Sequence, residues 1–171
     1  SSHTPLASTY KDSTEYWETI FTRASSSGFR EPLFNAAENL YRMDPDNWAY
    51  TNNYAALLLS ERRKPETAVS LTYELMNRNK NVNIASVINH ALALALNRRF
   101  VEAVEYMKKI PSETLSAELV PGYNMAWFEI AYRKKDFDTA REYALKVDVD
   151  KLLPGDKLFY LETWDTLNTI Q

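Results

Sequence analysis

The chain has 171 residues, of which 45% are apolar and 13% aromatic, a composition that supports one domain with a sizeable core and excludes disorder for the bulk of it. A formal charge of −3 gives no global attraction to nucleic acid or to an anionic membrane surface. With no cysteine there are neither disulfides nor thiolate metal sites, which leaves the redox compartment open, and no apolar run approaches the ~20 residues that span a bilayer.

Only three glycines are present, and Ala, Leu, Glu, Lys and Arg outweigh β-branched residues, so helices joined by short turns are expected throughout. Residues 1–13, rich in Ser and Thr, read as a flexible N-terminal linker, and 14–171 as one helical repeat domain. The first pair of helices is placed at 14–25 and 30–43, with Tyr16, Trp17, Ile20 and Phe21 as an apolar face and Pro32 where a small residue is expected. Asp44-Pro45-Asp46-Asn47 separates it from helices at 48–61 and 65–78, the second opened by Pro65. Asn77 to Asn83 reads as loop. Helices at 84–97, capped by Asn83, and 100–109 follow, then 122–134 after Pro121-Gly122, and 137–146 capped by Asp136. A last helix from Asp156 to Ile170 carries Leu158, Leu161, Trp164 and Leu167, as suits a cap.

An internal repeat organises these elements. Asn53-Tyr54-Ala55, Asn89-His90-Ala91 and Asn124-Met125-Ala126 share an Asn-x-Ala core at spacings of 36 and 35 residues, and Ala68, Ala103 and Ala140 recur downstream at 35 and 37. Small residues at such places let two helix axes approach, and Phe100 and Phe137, three residues before Ala103 and Ala140, are expected in the core. The basic clusters Arg62-Arg63-Lys64 and Arg133-Lys134-Lys135 fall at helix ends, where cations complement exposed carbonyls.

The linker-like stretch Met43-Asp44-Pro45-Asp46-Asn47, followed by Asn52-Asn53-Tyr54-Ala55, resembles the tetratricopeptide repeat family, as do Asn97-Arg98-Arg99-Phe100-Val101-Glu102-Ala103 and Lys135-Asp136-Phe137-Asp138-Thr139-Ala140. The resemblance implies an all-α right-handed superhelix, a solenoid of about four antiparallel hairpins with a C-terminal capping helix. Arginine or lysine stands where the family has its central glycine, and the fourth hairpin aligns in two ways, with either Ala126 or Phe128 in the small-residue position.

In that family the first helices of successive hairpins line a concave groove that holds a peptide or a partner helix. By position the resemblance places Asn52, Asn53, Ala56, Ile88, Asn89, Leu92, Tyr123, Asn124 and Trp127 in it. Asparagine amides can both donate to and accept from an extended backbone; the alternative is that they bond neighbouring helices or solvent. The first helices of the second and third hairpins lack Lys and Arg between Trp48 and Ser60 and between Ile84 and Leu96, which disfavours capture of a carboxylate-ended chaperone tail. There is no glycine-rich phosphate loop, and His3 and His90 are the only histidines, so no enzyme activity, cofactor or metal is expected and His90 reads as a packed helix residue. The function expected is therefore a non-catalytic scaffold for a protein or peptide. The alternatives are self-assembly through ends such as Trp164 and Ile170, an accessory domain of a larger enzyme or membrane protein, and, least favoured by charge, an RNA-binding helical repeat.

Overall fold

The computed structural model describes residues 13–78 and 83–170, and these contain helices and no strand, an all-α protein. The α-helices among them are α1 (Thr14–Ser27), α2 (Arg30–Met43), α3 (Trp48–Ser60), α4 (Pro65–Asn77), α5 (Ile84–Leu96), α6 (Phe100–Lys108), α7 (Val120–Arg133), α8 (Phe137–Ala144) and α9 (Pro154–Thr169). Short 3-10 turns occupy Ser112–Thr114 and Val149–Lys151.

Local chemistry accounts for the boundaries. Ser13 belongs to the first helix and not to a linker, because its hydroxyl accepts from the Tyr16 N–H at 3.2 Å; the rest of the expected linker, 1–12, lies outside the described residues. Asn83 and Asp136 cap α5 and α8 as expected, accepting from Ala85 N–H at 2.9 Å and Thr139 N–H at 3.3 Å. Of the expected loop, Asn77 is the last residue of α4 and residues 79–82 lie outside the described residues. Pro32, Pro121 and Pro154 all sit within first turns, where a missing N–H removes no helical bond. That is why α7 opens two residues earlier than expected, at Val120, and α9 at Pro154.

The chain forms two compact units, one through Leu57 and one from Leu58, with the division inside α3. In the first, α1 packs on α2, whose buried Ala36 and Ala37 supply the small residues that Pro32 does not. Tyr54 stacks on Tyr41 at 5.1 Å, meets Phe34 edge-on at 5.8 Å and donates to Glu38 at 2.6 Å. Tyr50 donates to Glu18, and this bond to a carboxylate is the main cause of a phenol pKa pushed up to about 12.

In the second unit α7 divides two clusters. Ala126 and Ile130 pack with Val87, Ile88, Ala91, Leu94 and Ala95 of α5 and with Ala103 and Met107 of α6, whereas Met125, Phe128 and Ala131 pack with Ala140 and Ala144 of α8 and Tyr160 and Leu167 of α9. Ala91, Ala103 and Ala140 have no exposed surface, the close approach their spacing implies. Phe100 and Phe137 are half-buried at the cluster edges, so they cap the core and do not fill it.

The last helix docks differently from the stripe its leucines suggested. Tyr160, Thr163 and Leu167 face inward, while Leu158 and Leu161 are 44% and 49% exposed. Polar anchors set that rotation. The Tyr160 hydroxyl donates to Ala144 O at 3.0 Å, and Arg141 donates to the Ile170 carbonyl at 2.8 Å, where a cation also suits the negative helix end.

Candidate functional site

Three turns of the second unit are built alike. The N–H groups of Arg63, Arg99 and Asp136 each donate at 2.9 Å to a carbonyl five residues earlier, on Leu58, Leu94 and Ala131. The residue before each donor is left-handed: Arg62 at φ 52°, Arg98 at 63° and Lys135 at 68°. Glycine adopts this conformation freely, whereas a side chain with a Cβ costs about 1 kcal/mol or more there.

Counting back from these turns compares the helices before them. Asn53 and Asn89 each precede their left-handed residue by nine positions, and the residue so placed on α7 is Ala126. Phe128, fully buried, then stands where Ala55 and Ala91 stand, and Asn124 lies two residues out of phase. Its burial agrees: Asn124 is 8% exposed and its amide donates to Lys146 O at 3.4 Å, a bond between neighbouring elements.

The other residues expected in a groove divide by exposure. Ile88 and Leu92 are buried core residues. Tyr123 and Trp127 are half-buried and pack against the α5–α6 cluster, with the Trp127 indole stacked on Tyr143 at 5.7 Å and its Nε1 buried without an acceptor among the described residues. Asn52, Asn53 and Ala56 on α3, and Asn89 on α5, are half-buried, and none of the three amides bonds another described residue. His90 is 3% exposed, and its Nδ1 lies 2.9 Å from the Thr72 hydroxyl, which also donates to Ala68 O at 2.7 Å. Burial, and secondarily the charge of Arg99, lower its pKa.

A charged cluster in the second unit has no counterpart in the sequence reading. Glu129 on α7 is fully buried, and its carboxylate accepts from Arg62 Nη2 at 2.6 Å, Arg62 Nε at 3.3 Å and Arg133 Nε at 2.8 Å. Arg62 also donates to Asp156 at 2.7 Å and to Ser60 O at 2.6 Å, and its guanidinium lies 4.2 Å from the Phe159 ring centroid. Two cations and two carboxylates balance, as burial of charge requires. Burial raises the Asp156 pKa against the opposing pull of Arg62. The first turn of α9 presses close here: a Cβ on Gly155 would stand 2.3 Å from Ser60 O, so only glycine fits. The visible hint is Glu129 alone in the apolar run Phe128-Glu129-Ile130-Ala131.

Among the described residues no helix is long and apolar enough to cross a membrane, and no three His, Asp or Glu side chains come together as a metal site would need. No protein-family model, curated protein or solved structure matches the chain.

Proposed function

We propose that the chain is a non-catalytic protein-interaction scaffold, a solenoid of tetratricopeptide-like hairpins whose first helices receive an extended peptide or a partner helix. The observation that carries this reading is the pair Asn53 and Asn89: 36 residues apart, each nine residues before a left-handed turn residue, half-buried, and each with an amide that bonds no described residue. Amides so placed are ready to bond a partner's backbone. On α3 Asn52 and Ala56 are half-buried beside Asn53, and on α5 Ile88 and Leu92 are core residues beneath Asn89. An affinity in the micromolar range, on the order of −8 kcal/mol, suits such a surface. Asn53→Ala and Asn89→Ala, each with an unchanged circular dichroism spectrum, should lower recovery of the partner in affinity capture from native extract; undiminished recovery with both refutes the assignment.

Self-assembly is the second reading, favoured by Leu158 and Leu161 on the outer face of α9. Light scattering that shows a monomer at high concentration overturns it.

A further inference from the structure

Between the ends of α5 and α7 lies an open cavity of about 470 Å³. Three cations, Arg98, Arg133 and Lys135, and three rings, Phe100, Tyr132 and Phe137, line it, and no carboxylate does. Arg98 and Lys135 are exposed and bond no described residue. Arg133 uses its Nε on Glu129 and leaves its terminal nitrogens unbonded to described residues. The nearby carboxylates are already engaged: Glu129 is sealed beneath Arg62 and Arg133, and Asp136 accepts from Thr139 N–H at 3.3 Å and Oγ1 at 2.7 Å. The cavity therefore presents excess positive charge beside aromatic surface.

Backbone conformation supplies an independent observation. Arg98 and Lys135 hold the left-handed φ of their turns, where glycine is the unstrained choice. The equivalent strain at Arg62 is offset by the ion cluster it completes. At Arg98 and Lys135 the turn bonds from Arg99 N–H to Leu94 O and from Asp136 N–H to Ala131 O hold the backbone, so these turns fix two exposed cationic side chains, unbonded to described residues, at the cavity.

We propose that this cavity binds an acidic peptide segment in which a carboxylate side chain neighbours an aromatic one. The carboxylate meets Arg98 and Lys135 through charge-assisted hydrogen bonds, and the aromatic side chain packs on Phe100 and Phe137. Long polyanions are disfavoured by the net charge of −3, while a short acidic segment feels chiefly the local cations within a Debye length of about 8–10 Å. None of the asparagines Asn52, Asn53 and Asn89 lines this cavity.

The test is calorimetric titration of the full chain at low salt with a synthetic peptide of alternating glutamate and phenylalanine. The expected result is saturable binding with a Kd below about 0.1 mM that weakens as salt rises. A lysine–phenylalanine peptide should not bind. Arg98→Gly and Lys135→Gly should each weaken binding about tenfold, the loss of one charge-assisted contact, while the unfolding midpoint holds or rises as strain is relieved. Arg98→Gln, which keeps the side chain and drops the charge, should weaken binding likewise, and Asn89→Ala should leave it unchanged. The proposal is overturned if the wild-type chain shows no saturable binding, if the lysine peptide or an RNA oligonucleotide binds equally well, or if binding survives all three charge-removing variants.

Discussion

Replacing Glu129 with glutamine removes one charge from a fully buried position while keeping the size of the side chain. The wild-type carboxylate spreads three guanidinium hydrogen bonds over both oxygens. A glutamine amide can accept at one oxygen only and turns its NH2 toward a cation, so at least one bond is lost and a repulsive contact takes its place. Breaking a buried ion pair from one side costs about 3–5 kcal/mol. The lower end applies here, because Arg133 is 30% exposed and can turn to water, and Arg62 keeps Asp156 and Ser60 O. A loss of about 3 kcal/mol lowers the thermal midpoint of a chain this size by roughly 6–12 °C. Urea and thermal unfolding followed by far-ultraviolet circular dichroism measure it directly. Adding Arg62→Met should cost less than the sum of the two single changes, since both remove the same Arg62–Glu129 contacts. A Glu129→Gln loss below about 1 kcal/mol, the worth of an exposed ion pair, would refute the argument that burial makes this cluster matter.

The close approach at Ser60 gives a second prediction: Gly155→Ala must push α9 off its seat and should cost about 1–3 kcal/mol in urea unfolding, whereas Gly122→Ala, helical with open space around it, should stabilise by about 0.5–1 kcal/mol. His90 gives a third. Its folded pKa is lowered, so below about pH 6.5 the unfolded chain binds a proton that the native chain resists, and stability should fall as pH drops through that value. The urea midpoint measured at pH 7.5 and at pH 5.5, about a unit either side, should show a smaller drop in His90→Gln than in the wild-type chain; equal drops count against the assignment. Finally, Tyr160→Phe, which loses the bond to Ala144 O while keeping the ring, should cost about 1 kcal/mol and leave the helical signal intact.

Helix placement was largely legible because its signals are local. Asn83, Asp136 and Pro65 act within their own turns, and the alanines at 68, 103 and 140 are wholly buried as their spacing requires. The turn after α7 was less legible, because its left-handed position is occupied by Lys135 and carries no glycine to announce it, while Asn-x-Ala at Asn124 is a short marker two residues from the position that this turn picks out. The candidate surfaces fared unevenly for a related reason. The half-burial of Asn53 and Asn89 and the burial of Ile88, Leu92 and Asn124 depend on what packs over them, which spacing alone does not carry. The Glu129 cluster was beyond reach, since its partners lie 67 residues away at Arg62 and, through Arg62, a further 94 residues on at Asp156. Likewise α9 has apolar residues around most of its circumference, so composition did not reveal that Tyr160 and Leu167 would turn inward and Leu158 outward.

Those long separations bear on the order of events during synthesis. Closing loops of this length costs entropy before any contact is gained, so Arg62 meets Glu129, and then Asp156, only after the intervening helices have formed. Until α9 emerges from the ribosome, Arg62 lacks Asp156 and the face of α7 that carries Phe128 stays open to water and to other chains. The α9 helix therefore acts as a closing bolt, and a chain stalled before Pro154 exposes the α7 face that would otherwise be covered, making it a client for chaperones.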